Sequence, residues 1–239
     1  MTKEELFEKN KQVLRKYLPE KVLDRIGTLI FEYDFKLIIK GDRRSKWGDF
    51  RPPTNHKPAQ ITVNKSLNKY SFLMTLIHEI AHCKTFRECG NTIEPHGTEW
   101  KKNFQILMQD FMNTDVFPID ILYVLRKHMQ NPTASANADT QLYKVLKNYD
   151  MDNARSPLIM LEYLPNNHLF VYEGKIYQRI RILKKRIECL HIETNKKYLF
   201  SPIAEVEIYE AQTRYQTSVN TDTLNEFYKD KIFEKRRCF

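Results

Sequence analysis

Residues 73–82 read Leu73-Met74-Thr75-Leu76-Ile77-His78-Glu79-Ile80-Ala81-His82, an apolar run that ends in the pattern H-E-x-x-H. On a helix, residues four apart stand one turn above each other, so His78 and His82 can present two imidazole nitrogens to one metal ion. Glu79 flanks that face. At about 100° per residue, Leu73, Leu76, Ile77 and Ile80 fall mostly on the opposite side, which predicts a buried helix with two histidines aimed into a cleft.

Zinc held in this manner takes three protein ligands and keeps one position for water, whose pKa falls to about 7. Glu79 is then placed to act as the base of a metal-assisted peptide hydrolysis. A third ligand must follow. The continuation that places a glycine and a further histidine just beyond the motif is absent, because Thr85 and Glu88 occupy those positions. Two candidates remain, His96 and Glu99, in Pro95-His96-Gly97-Thr98-Glu99-Trp100. His96 stands just before a helix whose apolar residues Trp100, Phe104, Leu107, Met108 and Phe111 keep a helical period, so a ligand there would be fixed by a rigid element. Glu99 falls in the first turn of that helix, where a carboxylate commonly complements the helix dipole. The pattern therefore favours His96.

His78-Glu79-Ile80-Ala81-His82, the later Pro95-His96-Gly97-Thr98-Glu99-Trp100-Lys101 and the upstream Ile61-Thr62-Val63-Asn64 together resemble the SprT-like family of zinc metalloproteases, over roughly residues 5 to 112. The resemblance implies an α+β fold: a zincin-like metalloprotease domain with a helix-borne H-E-x-x-H, followed by a small antiparallel β subdomain. It implies His78, His82 and His96 as ligands of one Zn2+ and Glu79 as the catalytic glutamate. Characterised eukaryotic members of the family cleave proteins crosslinked to DNA, so a protein or peptide substrate and single-stranded or junction DNA are the expected partners, with a role in DNA repair.

Around the motif, 41% apolar residues suffice for a core. The charged start Met1-Thr2-Lys3-Glu4-Glu5 and the lack of a long apolar run predict a soluble cytoplasmic protein without membrane association. Cys83, Cys89, Cys189 and Cys238 form no C-x-x-C pair, which fits reduced thiols. Cys83 follows a ligand position and is expected to point away from the metal.

A net charge of +9 and a pI near 9.2 favour polyanions. The cations concentrate in residues 40–69 and 168–200 with aromatics between them, a composition suited to tracking a phosphate backbone and stacking bases. Arg43, Arg44, Lys46, Arg179, Arg181, Lys184, Lys185 and Arg186 are the candidate nucleic-acid contacts.

Along the chain, Thr2 and Glu5 have capping-box spacing before a first helix, and a second helix carries Val22, Leu23, Ile26, Leu29 and Ile30. A strand is expected over 33–39, a long loop or loose hairpin over 41–59, and a strand over 60–64 that could border the cleft and pair with extended substrate. Helices are expected after Trp100 and from Pro118 to about Met129. Residues 1–132 then form the catalytic domain, and 133–160 a linker with one short helix. Residues 161–239 form a β subdomain of four or five strands with a closing helix over 223–235. Its apolar packing is expected through Phe170, Ile180, Ile182, Leu190 and Leu199. Many SprT-like proteins carry a four-cysteine zinc site in this subdomain, whereas this chain has only Cys189 there, so one zinc is expected rather than two. The alternative to an enzyme is a nucleic-acid-binding or scaffold protein with a metal site and little turnover.

Overall fold

The computed structural model describes residues 3–43, 46–134, 139–150 and 158–209, and it divides the chain into two units, Met1–Ala154 and Arg155–Phe239. The class is mixed α+β. Among the described residues no helix is long and apolar enough to cross a membrane. Thr2, Arg44 and the expected closing helix over 223–235 lie outside the described residues, as does the side chain of Glu5.

The first unit opens with helices α1 (Lys3–Leu14) and α2 (Leu23–Glu32), the latter burying Leu23, Ile26 and Leu29. Strands β1 (Phe35–Lys40), β2 (Gly48–Arg51) and β3 (Ala59–Asn64) make a sheet of order β1-β3-β2, with β1 parallel and β2 antiparallel to β3. The expected strand over 60–64 is thus the central one, with both edges already paired, and it has no backbone groups left for a substrate. The edge strands are β1 and β2, and β2 lies inside the stretch expected to be loop or loose hairpin.

Helix α3 (Lys69–Cys89) runs beneath this sheet and is buried on nearly every side, including Phe72, Leu73, Leu76, Ile77 and Ile80. Asn68 caps it by accepting from the Tyr70 and Ser71 amides, and Gly90, at φ +67°, ends it in a conformation that side chains disfavour. Helix α4 (Thr98–Gln109) packs on α3 through Trp100, Phe104, Leu107 and Met108. Asn103 joins them by donating to Thr85 Oγ1 and Glu88 Oε2. Helix α5 (Ile119–His128) follows, and then α6 (Thr140–Lys147).

Helix α6, expected as part of a linker, belongs to the first unit. Leu142 and Leu146 are buried in that core, and Asn68 Nδ2 donates to Leu146 O at 2.9 Å and to Asp150 Oδ1 at 2.6 Å. One asparagine thereby caps α3 and holds the end of α6.

In the second unit, strands β4 (Leu158–Met160), β5 (Leu169–Tyr172), β6 (Lys175–Ile182), β7 (Ile187–His191), β8 (Lys197–Phe200) and β9 (Glu205–Ile208) form one antiparallel sheet of order β4-β9-β5-β6-β7-β8. The core is Phe170, Tyr177, Ile187, Cys189 and Val206, closed by Leu161 and Leu164. The expected packing through Ile182 and Leu199 is wrong, since both are 62% exposed. Tyr177 and Arg179 are the inward residues of β6, and a register shift between Arg179 and Arg181 separates them from the strand's exposed end.

Candidate metal centre

Two segments bring the site together. His78 and His82 come from one face of α3, and His96 comes from the turn before α4. Their Nε2 atoms form a triangle with sides of 3.1 Å (His78–His96), 3.2 Å (His78–His82) and 2.9 Å (His82–His96). These histidines form a group able to hold a metal ion, and among the described residues no fourth His, Cys, Asp or Glu joins it. A point at roughly 2.0–2.1 Å from all three nitrogens, the usual zinc–imidazole distance, lies about 1 Å above the plane of such a triangle. Neutral imidazoles facing each other so closely cannot all be satisfied by sharing protons, because each offers a single lone pair or a single N–H. A cation at the apex satisfies all three lone pairs.

Electrostatics favours the ligand form of each ring. Burial depresses the His78 pKa well below the usual imidazole value, with the like charges of His82, His96 and His128 adding to it. Burial and then His96 lower His82 to about 4, and burial lowers His96. Neutral rings have lone pairs free for a metal.

Trp100, 1% exposed, packs against all three rings at centroid distances of 4.5, 5.3 and 4.6 Å, and Phe104 stacks on Trp100. The indole N–H donates to the His78 carbonyl at 3.4 Å. These apolar walls fix the ring orientations and keep water to one side. His96 itself has φ +63°, a left-handed conformation that costs a non-glycine residue about 1–2 kcal/mol. Such strain at a candidate ligand suits a turn that must aim one imidazole across at two others. Glu99, the rival ligand, is exposed on the first turn of α4 and stands outside the group.

Glu79 is 7% exposed. Burial pushes its carboxyl up to about 8, Asp49 adds to the rise, and Lys46, Arg43 and a hydrogen bond from the Phe50 backbone oppose it. A dication among the histidines would favour the ionised form. Edge strand β2 passes directly over this side chain: a Cβ added at Gly48 would lie 2.5 Å from Glu79 Oε1. Sequence reasoning misses Gly48 and Phe50, because nothing in Gly48-Asp49-Phe50-Arg51 marks a strand that meets the motif helix.

The expected basic contacts are only partly on the surface. Arg43 turns inward, its Nε donating to Asn64 Oδ1 at 3.0 Å and its Nη2 buried without a partner. Arg179 is 5% exposed and donates to the Leu164 carbonyl, so its place among the nucleic-acid contacts is corrected to that of a core residue. Lys46 pairs with Asp49 at 2.6 Å, and Arg181 and Lys197 both pair with Glu188 at 2.7 Å. Lys184, Lys185 and Arg186 are exposed between β6 and β7. Burial raises the Cys83 thiol to about 11 and the Cys189 thiol to about 12, so neither is a thiolate at neutral pH.

No family model, no curated protein and no solved structure matches the chain.

Proposed function

We propose that the chain is a zinc-dependent endopeptidase of the SprT-like type. The observation that carries this reading is the Nε2 triangle of His78, His82 and His96, with Glu79, which follows His78 on the same helix, buried. Three imidazoles leave a fourth position for water, whereas a purely structural zinc is normally closed by four protein ligands. That difference favours the enzyme over a scaffold.

Bound there, zinc supplies a Lewis acid and lowers the pKa of water to about 7. The chain's own residues do the rest. Glu79 accepts a proton from the attacking water and returns it to the leaving nitrogen, a transfer worth about 10²–10⁴-fold. The outer edge of β2 receives the substrate. Because Asn64 N–H donates to the Trp47 carbonyl, pairing with β3 uses the odd-numbered residues of β2, which leaves the amide and carbonyl of Gly48 and the carbonyl of Phe50 facing outward while the Phe50 amide bonds Glu79. An extended peptide added at that edge is held by its backbone, which gives little sequence preference. The exposed Lys184-Lys185-Arg186 turn supports recruitment to the phosphate backbone of DNA and hence a DNA-bound protein substrate.

The test is cleavage of an unfolded protein by the zinc-loaded chain and by Glu79→Gln. Equal zinc content with turnover reduced at least about 10²-fold in the variant is the expected result. Equal turnover, or none from the zinc-loaded wild type, contradicts the reading.

A further inference from the structure

Gly48 stands where the edge strand crosses the motif helix. Its backbone is not in the left-handed region, since Gly90 and Gly174 are the glycines with positive φ among the described residues, so an L side chain is conformationally allowed there. Space forbids it. A Cβ would meet Glu79 Oε1 at 2.5 Å, Thr75 Cγ2 at 2.7 Å and Glu79 Cγ at 2.8 Å. Thr75 and Glu79 are one turn apart on α3, and the Thr75 hydroxyl donates to the Ser71 carbonyl at 2.8 Å, which fixes its methyl toward the strand. Two residues further along the same strand, the Phe50 backbone hydrogen-bonds the Glu79 carboxyl.

We propose that Gly48 is a positioning residue: its missing side chain lets β2 close onto Glu79 and leaves that glutamate one pose beside the histidine triangle. The inference rests on the reading of Glu79 as the base. The strand is registered to β3 from Gly48 opposite Val63 to Arg51 opposite Gln60 and the Thr75 methyl is held by its hydroxyl, so an added methyl pushes the Glu79 side chain out of its pose and strains the strand against Thr75. Relief of a 2.5 Å contact to ordinary van der Waals distance moves the carboxylate by about 1 Å. Misplacement of a reacting group by that distance costs about 10²-fold in rate.

The experiment compares Gly48→Ala in two backgrounds, the wild type and Thr75→Ser/Glu79→Ala, which removes all three clashes. In the wild-type background kcat is expected to fall about 10²-fold with one zinc per chain retained, the signature of a disturbed transition-state arrangement. Thermal unfolding supplies a readout independent of turnover. Gly48→Ala should lower the midpoint in the wild-type background and leave it unmoved in the other. An unchanged kcat, or an equal drop of the midpoint in both backgrounds, overturns the proposal. If Gly48→Ala fails to fold in the wild-type background, folding in the relieved background supports it and failure in both overturns it. A wild type without any peptidase activity removes the functional reading, and the unfolding comparison then still decides whether Gly48 seats Glu79.

Discussion

Removing His96 by two different substitutions separates its proposed role as a ligand from the strain it carries. His96→Ala and His96→Gly both leave two imidazoles, an incomplete tetrahedral set, so neither is expected to retain stoichiometric zinc. In the wild type, free zinc at 100 times its dissociation constant adds about 2.7 kcal/mol to stability. For a unit of this size, Met1–Ala154, that raises the unfolding midpoint by roughly 5–10 °C. Both variants should show almost none of this rise. Without zinc they should differ from each other, because at φ +63° glycine avoids a penalty that alanine bears, partly offset by glycine's greater freedom when unfolded. His96→Gly is expected to be the more stable by about 1 kcal/mol. Glu99→Ala, on an exposed side chain, should change stability by less than about 0.5 kcal/mol and leave zinc in place. Elemental analysis and thermal unfolding with and without zinc read all three. Full zinc in the His96 variants together with its absence from Glu99→Ala would refute the ligand assignment.

Acid should weaken the fold through His128, which burial holds below its ordinary pKa of 6.5 despite the opposing Asp139 carboxylate 3.1 Å away. Its neutral form is native, so its contribution is complete above pH 6.5 and disappears as pH falls below 6.5 toward the depressed value. Urea unfolding at pH 7.5 and 5.5 should therefore show a smaller drop in stability for His128→Gln than for wild type, and equal drops would count against this. Reversing Lys184, Lys185 and Arg186 to glutamate should weaken single-stranded DNA binding and flatten its salt dependence, by about 0.7 in logarithmic slope for every phosphate that is no longer neutralised. Cleavage of a free unfolded protein should be unaffected. A wild type whose binding is insensitive to salt would end the recruitment idea.

The part of the site that lies on one helix is legible in the sequence. His78, Glu79 and His82 are a periodic pattern, and the stripe of Leu73, Leu76, Ile77 and Ile80 is buried as that pattern requires. His96 is legible from its place ahead of a strongly periodic helix. Its left-handed backbone is not, because nothing in Pro95-His96-Gly97 demands it. The contribution of β2 is hidden for a different reason: a four-residue strand between glycine, proline and charge has no periodicity to read, and its meeting with Glu79 is a tertiary event. In the second unit the expected alternation of β6 falls one residue out. Isoleucine is the more apolar choice for the inside of that strand, yet Tyr177 and Arg179 are buried, the arginine donating to the Leu164 carbonyl. The three-residue strand β4 is too short to carry a pattern. Helix α6 resembles a linker because the partner that anchors it, Asn68, is far away in sequence.

The most direct test is X-ray absorption at the zinc edge of the purified, zinc-loaded chain. The expected first shell is three imidazole nitrogens and one oxygen at about 2.0–2.1 Å, with one zinc per chain. A sulfur ligand, four protein ligands with no water, or a chain that takes up no zinc would contradict the claim that His78, His82 and His96 form an open catalytic centre.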